Sequence, residues 1–278
     1  MKKLLNRTIV ITGASRGIGR EMALKFASEG ANVVIAAKSA EPHPKLQGTI
    51  HSVAAEVEAV GGKALAIQVD VRSEEQIQDM VAKTIENFGS LDVLINNAGA
   101  IKLTSVEYTS LKYYDLMQQI NARAVFLCSQ TALPHLKKSP HAHIVNLSPP
   151  LNLNPRWFAQ HAPYTLSKYG MTMLTMGMAA EFANYKIAVN SLWPKTLIAT
   201  AAIEFELGGK EHFAMGRLPS IMADAAYELI QTPNQEITGQ ALIDEDLLRK
   251  RGVSNFDAYA YQAGTKKFFP DLFLDAEE

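Results

Sequence analysis

Cysteine is almost missing from this sequence: Cys128 is the only one among 278 residues. A single thiol forms neither an internal disulfide nor a cysteine-based zinc cluster, so the sequence excludes both. Proteins of a reducing compartment commonly use cysteine in this sparing way. We therefore expect a cytoplasmic protein.

Charge of one sign is also lacking, since 27 Lys and Arg residues stand against 28 Asp and Glu residues. No basic excess is present to attract nucleic acid or an anionic membrane surface, so we expect neither as a partner. The longest apolar run, Met171–Ala180, falls far short of the roughly 20 residues that span a membrane. The first residues, Met1–Ile11, do not resemble an export signal.

Histidine offers one candidate pair of metal ligands, His141 and His143, which alternate along a predicted strand. A zinc site takes three or four protein ligands, and no third ligand stands at a suitable spacing in this sequence. We therefore expect no bound metal.

Short β-branched runs alternate with longer amphipathic stretches along the chain, which is typical of right-handed βαβ units. The predicted strands are Thr8–Thr12, Asn32–Ala37, Ala64–Val69, Val93–Asn96, His143–Leu147, Ile187–Leu192 and Ala241–Asp244. The predicted helices are Ile18–Glu29, Ile50–Val60, Glu74–Phe88, Leu111–His135, Pro163–Phe182 and Leu218–Gln231. We predict an α/β fold, a single doubly wound Rossmann-type domain whose mostly parallel sheet is flanked by helices.

This domain is expected to cover residues 1–254, and a C-terminal tail follows at 255–278. The tail is rich in aromatic side chains, namely Phe256, Tyr259, Tyr261, Phe268, Phe269 and Phe273. A segment this apolar is costly to leave in water. We expect it to dock on its own domain or on a neighbouring subunit.

The first predicted strand runs into a glycine-rich turn, Thr12–Gly19, and a helix follows it. One glycine allows the tight turn, and the others allow the backbone to approach a pyrophosphate at the positive end of the helix. The spacing is Gly-x-x-x-Gly-x-Gly. It predicts a dinucleotide site, to which the turn contributes Gly13, Ser15, Arg16, Gly17, Ile18 and Gly19.

The second predicted strand indicates which dinucleotide binds. A NAD site places Asp or Glu near the end of this strand to accept a hydrogen bond from the ribose 2′-hydroxyl. Here no acid is present and Lys38 follows the strand, with Arg16 available from the glycine turn. Two cations complement a 2′-phosphate, so we predict NADP(H) as the cofactor.

Three ordered motifs give the chain a family resemblance. Thr12–Gly19, then Asn96–Gly99, then the Tyr-x-x-x-Lys pair of Tyr164 and Lys168 resemble the short-chain dehydrogenase/reductase family over residues 7–244. The resemblance implies a nicotinamide-dependent oxidoreductase acting on a carbonyl or a secondary alcohol. Three further segments, 37–46, 148–155 and 193–196, single out one branch of this family.

Tyr164 and Lys168 lie four residues apart in a predicted helix, so their side chains share one face. A nearby ammonium would favour the phenolate and lower the pKa of the tyrosine. By resemblance, Tyr164 donates the proton to the substrate oxygen and Lys168 also holds the nicotinamide ribose. Asn121 resembles the asparagine that kinks its helix and orders a water near the lysine.

The catalytic serine is where this chain departs from the family pattern. The matching position holds Pro149, which has no hydroxyl, and Ser148 precedes it. We predict Ser148 as the replacement. Asn152, Asn154 or a water could polarise the carbonyl instead, and the contact could also be lost altogether.

Further cofactor contacts are implied by the resemblance at the ends of later strands. The pair Asp70 and Val71 resembles the one that brackets adenine, and the segment Asn97–Gly99 resembles the one beside the adenine ribose. After the sixth strand, Pro194 and Thr196 match only in part, because Lys195 replaces a glycine. Thr200 is the alternative to Thr196. The residues expected here are therefore Asp70, Val71, Asn97, Ala98, Gly99, Pro194 and Thr196.

The segment 199–217 is expected to cap the substrate. Its apolar side chains, Ile203, Phe205, Leu207, Phe213 and Met215, predict an apolar or lipid-like substrate. The alternative function is binding of NADP(H) with little or no turnover, suggested by Pro149. The helix after Tyr164 carries several methionines, which fill the core or line a lipid-binding pocket. The family resemblance implies that this helix also pairs across a subunit interface, so we expect a homodimer or homotetramer.

Overall fold

The computed structural model describes residues 2–206 and 209–275 of the chain. Seven strands form one sheet in the order β3-β2-β1-β4-β5-β6-β7, and every pair of neighbours is parallel. The strands are β1 Thr8–Thr12, β2 Asn32–Ala37, β3 Lys63–Gln68, β4 Val93–Asn96, β5 His143–Asn146, β6 Ala188–Trp193 and β7 Ala241–Ile243. This architecture confirms the predicted doubly wound α/β fold.

Helices connect the strands and cover both faces of the sheet. They are α1 Gly17–Ser28, α2 Ile50–Ala59, α3 Glu74–Phe88, α4 Leu111–Gln118, α5 Ala124–Leu136, α6 Arg156–Ala159, α7 Ala162–Glu181, α8 Ala201–Glu206, α9 Ser220–Ile230 and α10 Asp244–Lys250. A π-helical turn, Gln119–Arg123, joins α4 to α5. Three short 3-10 turns lie at Ala183–Tyr185, Glu211–Met215 and Asp257–Tyr259.

Alternate side chains of the central strands enter two separate cores. Ile9 and Ile11 of β1 pack with α1, α2 and α9 on one face. Val10, between them, packs with α3, α5 and α7 on the other face. Because both faces are covered, β1, β2, β4, β5 and β6 are buried along their whole length. This burial explains why their sequences are largely apolar.

The sequence predicted the bounds of several strands and of one amphipathic helix, but it missed the short helices. The bounds of β1, β2, β4 and α3 agree residue for residue with the prediction. The short helices α6, α8 and α10 were not predicted. Asp244, assigned to the last strand, instead begins α10, and its carboxylate accepts hydrogen bonds from the backbone N–H groups of Lys195 (2.8 Å) and Glu245 (2.6 Å).

The C-terminal tail packs on the chain that carries it. Phe256 and Phe273 are 7% and 1% exposed, and Phe273 lies in a small core with Met117, Tyr164 and Trp193. Within the described residues, no helix is both long and apolar enough to cross a membrane.

Candidate functional site

A cavity of about 670 Å³ lies at the carboxyl edge of the sheet, where the strand order reverses between β1 and β4. Open α/β sheets bind their ligands at this switch point. The predicted site residues that line it are Gly13, Ser15, Arg16, Gly17, Ile18, Lys38, Asp70, Val71, Asn97, Ala98, Gly99, Tyr164, Lys168 and Pro194. Gly19, Thr196, Asn121 and Ser148 are not part of its wall.

The glycine turn closes tightly over the end of β4. Gly13 and Gly17 have φ angles of 68° and 55°, in the left-handed region that favours glycine. A Cβ atom on Gly19 would lie 2.5 Å from Asn97 Nδ2 and 2.6 Å from the carbonyl oxygen of Gly13. Gly19 therefore acts through packing of α1 against the turn.

Thr12 joins the ends of β1 and β4 at the floor of the cavity. Its hydroxyl donates to the carbonyl of Ile95 (3.3 Å) and accepts from the backbone N–H groups of Asn97 (3.1 Å) and Ala98 (3.0 Å). The Asn97 amide in turn donates to the carbonyls of Thr12 and Gly13. This network holds two strand ends at a fixed separation beneath the site for a ligand.

Two cations stand at one end of the cavity. Arg16 precedes α1, and its guanidinium donates to the carbonyls of Gln47 (3.1 Å) and Gly48 (2.9 Å) and to Ser39 Oγ (3.2 Å). Lys38 is well exposed there, and its Nζ lies 3.5 Å from Asp70 Oδ2. Arg16, Lys38 and Ser39 line the cavity together.

Asp70 is held as a carboxylate at the same end. Arg72 donates to both of its oxygens, and this hydrogen bonding lowers the pKa of Asp70 to about 2. The charge of Lys38 contributes to this lowering of the pKa. The acid predicted to contact the adenine is therefore ionised at neutral pH.

Asn121 lies in the π-helical turn Gln119–Arg123, which joins α4 to α5. Its amide nitrogen donates to the carbonyl of Ala100 (2.9 Å) and to Ser167 Oγ (2.8 Å), and its oxygen accepts from the N–H of Ala100 (2.9 Å). It is fully buried. Asn121 thus ties the loop after β4 to α7, the helix of Tyr164 and Lys168.

Tyr164 and Lys168 both face the cavity from α7. The Lys168 ammonium donates to the carbonyl of Leu147 (2.6 Å) and lies 5.0 Å from the centre of the Trp193 ring. Burial lowers the pKa of Lys168 to about 7, against the opposing charge of Asp271. The lysine is therefore positioned by the residue that follows β5 rather than by the tyrosine.

The pKa of Tyr164 moves in the direction opposite to the sequence-based expectation. Burial raises this pKa far above its usual range, and the carboxyl groups of Asp271 and Glu206 raise it further when they are ionised. The expectation considered only the ammonium of Lys168, whereas the folded chain adds low-dielectric surroundings and two acids. In this state Tyr164 is a neutral phenol that holds its proton.

Ser148 is placed differently from the predicted role. Its side chain is fully buried, and Oγ lies 2.8 Å from Ser191 Oγ, which donates to Thr175 Oγ1. The hydroxyl therefore faces β6 and α7 and not the cavity. Of the alternatives, Asn152 binds the tail at the carbonyl of Phe273, and Asn154 begins the turn before α6.

Only some residues of the segment after β6 line the cavity. Pro194 and Thr200 line the cavity, whereas Thr196 is buried behind it, and its hydroxyl has no hydrogen-bond partner among the described residues. Of the predicted cap, Ile203 and Phe205 face the cavity, and Phe213 and Met215 do not. Leu207 lies outside the described residues.

Sequence reasoning missed one whole wall of the cavity. Four consecutive tail residues line it, namely Phe269, Pro270, Asp271 and Leu272. The aromatic residues of the tail predicted that it docks on the domain, but not that it docks at the cavity. The tail is far in sequence from the other residues of the cavity, so no local pattern connects them. Across residues 2–206 and 209–275, no group of three His, Cys, Asp or Glu side chains is placed to hold a metal ion.

A family model described as short chain dehydrogenase matches residues 7–205. The chain belongs to the short-chain dehydrogenase family. Proteins named hydroxysteroid dehydrogenase-like protein 2 from Danio rerio and Homo sapiens are 56% and 54% identical over 99% and 98% of this chain. These relatives confirm the branch that segments 37–46, 148–155 and 193–196 single out. The chain spans 65% and 64% of their lengths.

Solved structures of this family share the fold along nearly the whole chain. A dehydrogenase from Xanthomonas campestris is 49% identical with a TM-score of 0.94, covering 98% of this chain and 99% of its own. A short chain dehydrogenase from Mycobacterium thermoresistibile is 45% identical with a TM-score of 0.92, covering 98% and 96%. A metagenomic short-chain oxidoreductase in complex with NADP is 26% identical with a TM-score of 0.71, covering 87% and 97%.

The residues present fit a nicotinamide dinucleotide. The cavity extends from Arg16 and Lys38, past the start of α1, to Tyr164 and Lys168. The Arg16 side chain bonds the 47–48 backbone instead of capping α1, so the first N–H groups of that helix remain available to a phosphate.

We expect Gly19→Ala to destabilise the protein by about 1–3 kcal/mol, because the new methyl group would overlap backbone and side-chain atoms. Gly177→Ala is the matched control. It lies in α7 with no atom within 4 Å of the position that its new methyl group would take, so it should be neutral or add up to about 1 kcal/mol. Urea unfolding of both variants measures the difference, and equal stability would contradict the packing role of Gly19.

Proposed function

We propose that this chain is an NADP(H)-dependent oxidoreductase that interconverts a carbonyl and a secondary alcohol. The observation that carries the proposal is one continuous cavity that joins the glycine turn at one end to Tyr164 and Lys168 at the other. The family match supports the class of reaction. The cofactor, the substrate class and the roles below are inferred from the side chains of the site.

The choice of NADP(H) rests on charge. Arg16, Lys38 and Ser39 offer two cations and a hydroxyl at the end of the cavity where an adenine ribose would lie. The end of β2 supplies no acid to accept from a 2′-hydroxyl. A family member 26% identical to this chain is described in complex with NADP, which agrees with this assignment.

Each residue near Tyr164 has a distinct part in the proposed reaction. Bound NADPH would supply the hydride for the carbonyl carbon. Tyr164, neutral in its buried position, holds the proton that the carbonyl oxygen receives. Lys168, held by the carbonyl of Leu147, would stabilise the phenolate that remains and would bind the nicotinamide ribose. Asn121 fixes α7 against the loop after β4.

An apolar, lipid-like ketone or alcohol is the proposed substrate. The part of the cavity beyond Tyr164 is walled by Ile101, Leu103, Ile203, Phe205 and Leu272. Apolar walls of this kind bind ligands by removing their hydrocarbon surface from water. The names of the relatives, hydroxysteroid dehydrogenase-like, agree with such a substrate.

Self-association into a homodimer or homotetramer completes the proposal. Leu166, Met173 and Met176 lie on one side of α7 and are 55%, 61% and 53% exposed, and Phe126 of α5 is 46% exposed. Contiguous apolar side chains in water commonly mark an interface.

For the cofactor, we expect NADPH to raise the melting temperature far more than NADH. A ligand at 100 times its Kd adds about 2.7 kcal/mol to stability. Lys38→Asp should weaken NADPH binding by about tenfold or more while sparing NADH, because a charged hydrogen bond is lost. Lys112→Asp, an exposed site on α4, is the control. No stabilisation by either nucleotide would refute the cofactor assignment.

For the reaction, Tyr164→Phe should lower kcat by about a hundredfold or more while leaving the NADPH-induced shift in melting temperature intact. Tyr185→Phe, on the exposed turn after α7, should leave both unchanged. Kinetics with a series of long-chain methyl ketones provide the measurement. A wild-type protein that binds NADPH but reduces no ketone would support the alternative of binding without turnover.

For assembly, light scattering of the wild-type protein should report two or four chains. Met173→Glu places a charge on the exposed face of α7 and should shift the distribution toward monomer without unfolding the chain. A wild-type mass of one chain would rule out the interface.

A further inference from the structure

The tail returns to the cavity along the segment that follows β6. Leu197 donates its N–H to the carbonyl of Phe269 (2.9 Å), and Asp271 donates its N–H to the carbonyl of Lys195 (3.1 Å). Thr196 and Pro270 face each other between these bonds as an antiparallel bridge. The backbone of the tail is therefore paired with a wall of the site, and its side chains have a fixed register there.

Phe273 anchors the end of this segment beside Tyr164. The two rings are stacked with centroids 6.1 Å apart and planes at 28°. Trp157, Tyr169 and Trp193 surround Phe273 with ring centroids 5.8, 5.2 and 5.9 Å away. Its φ of 72° is rare for a bulky residue, and such a backbone persists only where surrounding contacts determine it.

Side chains outside the tail also hold it by its carbonyl groups. Trp193 Nε1 donates to the carbonyl of Leu272 (3.0 Å), and Asn152 Nδ2 donates to that of Phe273 (3.1 Å). Arg156 forms an ion pair with Asp275, further along the tail. Because Phe273 also stacks on Tyr164, the tail and the tyrosine are positioned together.

Asp271 is the polar member of the tail segment in the cavity, between the apolar side chains of Pro270 and Leu272. Asp271 is partly exposed, and it lines the cavity. Its Oδ1 accepts from the N–H of Leu272 (2.7 Å), and no ion pair within 4 Å is found for it in the described residues. Glu206, the other acid near Tyr164, lies 3.5 Å from Lys102.

The surroundings of Asp271 favour its neutral form. Burial, together with the negative charge of Asp244, raises its pKa to about 7, against the opposing effects of the N–H of Leu272 and the charge of Lys168. A neutral carboxylic acid has an O–H group to donate, whereas a carboxylate would repel the negative charge that grows on a carbonyl oxygen during reduction. With a pKa of about 7, a large share of Asp271 is protonated at neutral pH, and a protonated aspartic acid can serve as a hydrogen-bond donor in an active site.

A second donor to the ketone oxygen, besides Tyr164, would stabilise the negative charge that grows on it during reduction. Ser148 does not supply one, because its hydroxyl bonds Ser191 away from the cavity. We infer that Asp271, presented by the docked tail, is a catalytic residue whose protonated carboxyl group hydrogen-bonds the reacting oxygen of the substrate. This inference rests on the proposed function and assigns residues 269–272 to the substrate site.

Two variants of the full chain test the assignment. Asp271→Asn keeps a donor of similar size and should retain kcat/KM for a long-chain methyl ketone within about threefold. Asp271→Leu keeps the branched shape without the donor and should lower kcat/KM by about tenfold or more. Asp257→Asn, an exposed acid outside the cavity, is the control and should match wild type. NADPH should stabilise all four proteins equally, because Asp271 contacts substrate.

If Asp271→Leu is as active as wild type while Tyr164→Phe is inactive, the role of Asp271 is wrong and the proposed function still holds. An equal loss of kcat/KM in Asp271→Asn and Asp271→Leu would also contradict the role of Asp271 as a donor, because it would show that the carboxylate itself is needed. Failure of the proposed function would be seen separately, because Tyr164→Phe would then be as active as the wild-type protein.

A binding measurement tests the same contact if turnover is too slow to measure. With NADP⁺ bound, the same methyl ketone should raise the melting temperature of wild type and Asp271→Asn, and not of Asp271→Leu. An equal rise in Asp271→Leu, or no rise in wild type that binds NADP⁺, would contradict the inferred contact.

Discussion

The reversal of strand order between β1 and β4 is the constraint on which this structure depends. The chain leaves β1 toward α1 on one face of the sheet and leaves β4 toward the face that carries α3, α5 and α7. The two connections diverge and leave a crevice at the carboxyl edge. Thr12 ties the two strand ends beneath it. The side chains of the site either follow this edge directly or are brought to it by later segments of the chain.

Burial, rather than direct pairing, controls the proton balance of the site. Tyr164 is kept neutral, and the pKa values of Lys168 and Asp271 both lie at about 7. A low-dielectric cavity penalises each charged form, so an acid and a base are brought to the same range from opposite sides.

The strand and glycine patterns were sufficient to predict the sheet and the cofactor end of the cavity. Gly13, Arg16 and Lys38 follow the carboxyl ends of β1 and β2, and local chain direction alone brings such positions to one edge. Tyr164 and Lys168 were likewise predictable, because helical spacing places both on one face of α7. Ser148 was not, since the hydroxyl of a residue after β5 can turn toward the cavity or toward Ser191, and only packing selects between them.

By itself, the sequence determined the order of strands and helices, the turn that approaches the start of α1, and the pairing of tyrosine with lysine, because these follow from local periodicity and backbone freedom. Only the tertiary structure decided the protonation of Tyr164 and the wall of the cavity that the tail supplies. Both depend on residues far apart in the chain, such as Asp271 and Tyr164. Long-range packing sets which charges meet and how far water is excluded, and no local pattern encodes either.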